Sequence, residues 1–225
     1  MCQIAARDGV RHIVATPHAN HKYSYDRGRF ESMRQKLQAT GGDSLTFSLG
    51  CDFHFSYDNI EDALLHPRRY TIARSNYLLI EFNDFSLMPA IREGVFRLVG
   101  SGIIPIVTHP ERNPVLLDRR EKVLDLIDYG CLIQVTASSF TGHWGERPQR
   151  MAEWLLRRDA VHTVASDAHD ARHRPPILSA AHERVSKLTN KTVAQALFVD
   201  NPGAIVSRYS PLLREVPSAI PPLES

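Results

Sequence analysis

IPIVTHPER, Ile104–Arg112, is an apolar run that opens onto a histidine, a glutamate and an arginine. The same form recurs along the chain. IVATPH (Ile13–His18), FSLGCDF (Phe47–Phe53), YLLIEF (Tyr77–Phe82), CLIQVTASS (Cys131–Ser139) and VHTVASDAH (Val161–His169) are further runs of this kind. All but CLIQVTASS carry His, Asp or Glu at or near the C-terminal end: His18, Asp52, Glu81, His109, Asp167 and His169. Near-continuous apolar runs mark parallel strands buried on both faces, and in (β/α) barrels the chemistry sits at the strands' C-terminal ends. Strands delivering these side chains to one rim predict a polynuclear metal site. A purely structural explanation would need a separate coincidence on each strand.

Helix-like segments with apolar spacings of three and four lie between the strands, which argues for an α/β fold with a parallel sheet. They cover Met88–Val99, Leu116–Tyr129 with a Gly130 stop, Glu146–Arg158, Ile177–Leu188, Val193–Val199 and about Gly203–Tyr209. Asn201-Pro202 is expected to separate the last two. Residues 1–210 read as one domain and 211–225, with Pro217, Pro221 and Pro222, as a loosely held tail. Cys2–Asp8 reads as the end of a helix closed by Gly9, so the chain is expected to start inside a helix and to lack the strand before it.

Composition excludes several classes. Formal net charge is +2, from 27 Lys and Arg against 25 Asp and Glu, without the concentrated basic stripe of a nucleic-acid binder. No apolar run is long enough to span a bilayer, and the N-terminus lacks a secretory pattern, so a cytoplasmic protein without membrane insertion is expected. The three cysteines have no short pairing pattern, which fits a reducing compartment. They also exclude a phosphate-binding loop with Cys and Arg separated by five residues, because Asp8, Tyr57 and Ala137 stand where the Arg would be.

The site residues divide by chemistry. Neutral imidazoles suit Mn, Fe or Zn, and a guanidinium can fork two hydrogen bonds onto a phosphate. Arg112 follows His109 closely, and Arg174 is preferred to Arg172 because Pro175 and Pro176 would fix its loop. Glu111 reads as a support orienting His109 or Arg112. A carboxylate at Glu81, after an apolar run, is costly to bury without a cation. His21 and His54 read as rim or surface residues. His12, His66, His143, His162, His173 and His182 carry no assigned role.

With these residues in view, the chain resembles the PHP (polymerase and histidinol phosphatase) superfamily, and within it the bacterial metal-dependent protein-tyrosine phosphatases of the CpsB/CapC type. The likeness is carried by ATPH (15–18), GCDFH (50–54), YLLIEF (77–82), PIVTHPER (105–112), VASDAH (164–169), RPP (174–176) and FVDNP (198–202). It implies a distorted (β/α)7 TIM-like barrel and a trinuclear, usually manganese-dependent site, with Fe or Zn as other candidates. By position, His18, Asp52, Glu81, His109, Asp167 and His169 would be metal ligands, while Arg112 and Arg174 would hold the phosphoryl group. Asp52 stands where the family usually has Glu and is a methylene shorter. Family members open with a strand carrying His-x-His and an Asp-rich loop, and neither motif occurs in this sequence. The expectation is therefore a barrel without its first strand, less stable than an upstream-extended form or self-associating through exposed edges.

The activity implied is in-line hydrolysis of a phosphotyrosine ester without a covalent enzyme intermediate. The implied partner is the tyrosine-rich tail of a bacterial tyrosine kinase that controls capsule or exopolysaccharide export. A phosphatase for a small monoester such as histidinol phosphate, or a non-catalytic module that binds phosphotyrosine or a kinase, are the competing readings. A nucleic-acid exonuclease is disfavoured by the near-neutral charge. The sequence sets no oligomeric state.

Overall fold

The computed structural model describes residues 1–40, 45–85 and 90–207. Eight strands lie among them: β1 (His12–Ala15), β2 (His18–Ala19), β3 (Thr46–Leu49), β4 (Asp52–His54), β5 (Tyr77–Glu81), β6 (Ile104–Thr108), β7 (Leu132–Thr136) and β8 (Thr163–Ala165). All pair in parallel, β1 with β3, and β2-β4-β5-β6-β7-β8 as one six-stranded sheet. Each predicted apolar run is therefore a strand or a broken pair of strands. β1 and β2 are interrupted at Thr16-Pro17, where proline has no N–H to give the ladder. β3 and β4 are interrupted opposite, at Gly50-Cys51, yet Gly50 N–H still reaches Ala15 O at 2.8 Å and Asp52 N–H reaches Pro17 O at 3.1 Å. Gly50 fits closely there: a Cβ would sit 3.1 Å from Ile72 Cγ1 and 3.3 Å from Val14 Cγ1, and those side chains would have to give by a few tenths of an ångström.

Strand alternation sorts the core into two layers. Leu78 and Ile80 of β5 face the large outer cluster beneath the helices, with Phe53, Val107 and Ile133. Tyr77 and Leu79 face the concave side and pack with Ile72, Ile106 and Ile205. Ile205 comes from helix Asn201–Val206, so that helix plugs the end of the curl away from the candidate site. The ladder of described strands does not close into a hydrogen-bonded ring, but the curl brings its edges together. The rings of His18, on β2, and His169, beyond β8, have centroids 6.2 Å apart. At the N-terminus, helix Cys2–Arg7 ends at Asp8, whose carboxylate accepts Leu178 N–H at 2.6 Å and Ser179 N–H at 3.0 Å. Asp8 thereby caps helix Ser179–Leu188 from across the chain.

Several helix expectations need correction. Leu116–Tyr129 is two helices, Pro114–Asp118 and Glu121–Asp128, broken at Arg119. Asp118-Arg119-Arg120-Glu121 has no apolar face to bury, and amphipathic burial supplies most of a helix's stability. Asn201-Pro202 does not separate two helices: Lys191–Gln195 runs through a π turn, Ala196–Asp200, into Asn201–Val206. The widened turn tolerates Pro202, which has no N–H to give, at the first turn of the last helix. Arg27–Thr40, Tyr57–Leu65 and Pro67–Tyr70 are helices that periodicity had not marked. Helix Ile91–Gly100 falls within the predicted 88–99 span apart from one residue. The first residues of that span, those beyond 207 and the expected tail lie outside the described residues.

Candidate metal and phosphate site

Sheet register builds the site. His18 pairs laterally with Asp52, Asp52 with Leu79, and Leu79 with Ile106. This row crosses the concave face, so His18 and Asp52 stand beside the apolar floor made by Leu79 and Ile106. Glu81 is two residues beyond Leu79 and rises from the same face. His18 Nδ1 lies 3.2 Å from Asp52 Oδ2 and 3.8 Å from Glu81 Oε2. His109, just past β6, places Nε2 3.4 Å from Glu81 Oε1. One donor atom from each of His18, Asp52 and Glu81 falls within 4.8 Å of the others.

The donor set fits a divalent cation. Two imidazoles and two carboxylates meet here, His18 with Asp52 and Glu81, and His109 with Glu81. Among the described residues, buried His18 Nδ1 and Asp52 Oδ1 have no hydrogen-bond partner of proper geometry, although buried polar atoms are ordinarily paired. Burial, followed by the Asp52 carboxylate, pushes the Glu81 carboxyl up to about 7. The Asp52 carboxylate raises His18, whereas burial and then Arg112 lower His109 and keep its imidazole neutral. A cation would relieve this crowding of carboxylates and give the orphaned atoms a partner.

The other half of the site is cationic. Arg112 and Arg174 both donate from their guanidinium groups to Asp167 Oδ2, and Arg174 Nη2 also reaches Asp167 O at 3.1 Å. Burial alone would raise the Asp167 carboxyl, but His109, Arg112 and Arg174 together hold it below the usual carboxylate range. The Arg112 guanidinium lies 3.9 Å from the Trp144 ring centroid and that of Arg174 lies 5.4 Å away, both within cation–π range. Trp144 Nε1–H is fixed on Ser138 Oγ at 2.8 Å, which sets the ring plane. His169 Nδ1 lies 3.1 Å from the backbone oxygen of Asp167 and 3.8 Å from its Oδ1.

Two site residues hold left-handed backbone, His109 at φ 37° and Asp167 at φ 49°. For a side chain with a Cβ this costs about 1–2 kcal/mol and persists only where the surroundings impose it. The imposed fixings are visible. His109 N–H is bound to Gln134 O at 2.9 Å, and the Asp167 side chain is held by both arginines.

All six expected ligands thus lie on one rim, in two groups. His18, Asp52 and Glu81 form a mutual cluster that His109 joins through Glu81, while Asp167 is engaged by the arginines and His169 flanks it beside His18. Arg174 rather than Arg172 reaches the site. Its loop is shaped by Asp170, whose Oδ1 accepts Arg172 N–H at 2.7 Å and His173 N–H at 2.6 Å. The expected role of Glu111 is corrected. It is fully buried, and its Oε1 accepts Thr136 N–H at 2.9 Å and Ser139 Oγ–H at 2.7 Å. It therefore ties the turn after β6 to the end of β7, and hydrogen-bonds neither His109 nor Arg112.

The family model for capsular polysaccharide synthesis proteins of the CpsB/CapC type matches residues 1–207. The chain belongs to the CpsB/CapC family. It is similar to tyrosine-protein phosphatase CpsB of Streptococcus pneumoniae, 31% identical over 89% of this chain and 86% of that relative. It is also similar to tyrosine-protein phosphatase YwqE of Bacillus subtilis, 29% identical over 77% of this chain and 70% of the other. A solved structure from work on YwqE and S. pneumoniae CpsB, described as unique metal-dependent tyrosine phosphatases, superposes with a TM-score of 0.82 at 24% identity. That match covers 95% of this chain and 90% of the other, and it shows the shared fold.

Beyond the residues read from sequence, this CpsB/CapC chain uses two asparagines and a tryptophan to hold the rim. Asn59 Nδ2 donates to Ala19 O at 3.0 Å and to His54 O at 2.8 Å, joining the ends of β2 and β4. Asn113 Nδ2 reaches Asn83 O at 3.0 Å while its Oδ1 caps the next helix at Leu116 N–H. A serine cap at Ser56, three residues before Asn59, was the available signal for the first. For Trp144 the only signal was an aromatic side chain in a glycine-flanked turn, Gly142–Gly145.

Proposed function

We propose that this chain is a metal-dependent phosphatase that hydrolyses phosphotyrosine on a protein substrate. The observation that carries the reading is the meeting, on one rim, of the His18–Asp52–Glu81–His109 cluster with the Arg112–Arg174 pair. One half suits a divalent cation and the other a phosphoryl dianion. His18, Asp52, Glu81 and His109, with Asp167 and His169, would hold the metal, and imidazole with carboxylate donors suits manganese, with iron or zinc as alternatives. When bound, such a cation supplies a Lewis acid and lowers the pKa of water.

Arg112 and Arg174 offset charge on the phosphoryl oxygens, and Trp144 keeps both guanidinium planes in place before substrate arrives. Phenolic oxygen, with a pKa of about 10, leaves without strong demand for a general acid. No thiol among the described residues is offered at the rim, since Cys2 packs against the N-terminal cluster of Ala5, Leu45 and Phe47. Cys51 and Cys131 are buried, and burial raises both thiols, Cys131 to about 12. This supports hydrolysis without a cysteinyl-phosphate intermediate. The family's description as capsular polysaccharide synthesis supports a tyrosine kinase of capsule or exopolysaccharide production as the substrate protein. A cytoplasmic enzyme is the reading that goes with such a substrate. Among the described residues no helix is long and apolar enough to cross a membrane.

The test is manganese-dependent phosphate release from a phosphotyrosyl peptide, with His109→Ala as control and small aliphatic monoesters for comparison. Release that prefers the peptide and vanishes in the variant is expected. Phosphate release indifferent to His109, or faster from the aliphatic esters, overturns the reading.

A further inference from the structure

A cleft of about 170 Å³ opens beside the arginine pair, between the turn carrying Trp144 and the start of helix Ser179–Leu188. Trp144, Pro175, Ile177 and Ala180 give it apolar wall, while Ser166 and Arg174 line the part next to Asp167. We propose that this cleft is the subsite for the aryl group of the substrate, so that the phosphoryl group rests on Arg112 and Arg174 while the tyrosine ring lies against Trp144. The proposal rests on the phosphatase reading in taking a phosphate ester as the ligand, and it names the residues that would select an aromatic ester.

Three features support it. Size is the first: a dry cavity on the order of 150 Å³ accepts a benzene ring. The second is continuity. Arg174 lines the cleft and also donates to Asp167, so one side chain spans the anionic and apolar parts, as a bound aryl phosphate would. The third is preorganisation. The Trp144 indole is pinned by its N–H on Ser138 Oγ and stacked by the Arg112 guanidinium, so its position is set before any ring arrives. An aliphatic phosphate would satisfy the arginines equally and leave the cleft wet. A flat ring fills it and gains offset or edge contact with the indole.

Calorimetric binding of benzylphosphonate and methylphosphonate separates these parts without requiring turnover. The parent protein, with manganese present, is expected to bind benzylphosphonate at least about tenfold more tightly than methylphosphonate. Ala180 is exposed on the first turn of its helix, so Ala180→Phe fills the cleft without disturbing the core. That variant is expected to lose the benzyl preference and keep the parent's affinity for methylphosphonate. Absence of the preference in the parent, its survival in Ala180→Phe, or equal loss of both ligands in the variant overturns the assignment. Phosphate release measured in parallel keeps the two readings apart. Turnover without aryl preference sinks the cleft alone, and aryl preference without turnover sinks hydrolysis alone.

Discussion

His162 provides a pH dependence that can be worked out in advance. It sits just before β8, mostly buried, and its Nδ1 accepts Ile133 N–H at 3.0 Å. Its backbone oxygen accepts Asn201 Nδ2 at 2.8 Å, so the residue joins β7 to the helix that plugs the curl. Burial lowers the imidazole from 6.5 to about 4. Because the folded-state value is depressed, the stabilisation is fully present above 6.5 and is lost as pH falls toward 4. The separation of about 2.5 pH units, at about 1.36 kcal/mol each, sets a ceiling of about 3.4 kcal/mol, of which roughly 2 is lost by pH 5. His162→Asn can keep an acceptor near the Nδ1 position and cannot titrate. Urea unfolding of both proteins at pH 7.5 and pH 5 should show the parent losing about 2 kcal/mol more than the variant, since all other titrations are shared. Parallel losses would refute the claim that His162 is buried neutral.

Arg112→Lys and Arg174→Lys keep the charge and lose the planar fork, so each should lower kcat/KM for a phosphotyrosyl peptide by about 10²–10³, read from steady-state kinetics. Glu81→Gln should weaken manganese binding by at least about tenfold in a direct titration. Because the Glu81 carboxyl is raised by burial and by Asp52, its ionisation opposes folding above the ordinary carboxylate range, and the metal-free variant should melt higher than the metal-free parent at pH 8. Chelation of the parent should abolish turnover and lower Tm, and manganese at about 100 times its Kd should restore about 2.7 kcal/mol, followed by calorimetry. Gly94→Ala should destabilise by about 1–3 kcal/mol in denaturant unfolding, because the added Cβ would meet Phe55 Cζ at 2.8 Å and Ile60 Cδ1 at 3.0 Å.

The strands were legible because strands buried on both faces leave apolar runs with little else in them. The polar ends of those runs then named the rim. Helix Arg27–Thr40 was not legible, and its attachment explains why. Met33 and Leu37 are exposed, while Arg34 Nη1 donates to Phe47 O at 3.1 Å. Gln38 both donates to Leu45 O at 3.1 Å and accepts Phe47 N–H at 3.0 Å. The helix docks by hydrogen bonds onto the free edge of β3, so it needs no continuous apolar stripe and shows no strong period. Trp144 was hidden for another reason. Its partners, Arg112 and Arg174, are supplied by two distant loops, and nothing local in Gly142–Gly145 records them. Glu111 was visible but misassigned, since spacing to His109 and Arg112 says nothing of a hydrogen bond to Thr136 on the neighbouring strand.

The same rim also explains why the fold tolerates a costly arrangement. Asp52 and Glu81 are brought together by strand register, over an apolar floor that cannot solvate them. His109 and Asp167 add left-handed backbone. Among the six expected ligands, Asp167 is the one ion-paired to the arginines, whose guanidinium groups are turned toward Trp144 and that carboxylate. Negative charge near Asp52 and Glu81 is therefore left for a cation to neutralise, and positive charge near Trp144 for an anion. Asp167 stands at the boundary and answers to both. Cation affinity and phosphate affinity should consequently be coupled through this one carboxylate, because any cation that draws its negative charge toward the His109 side leaves the two guanidinium groups freer to meet phosphate.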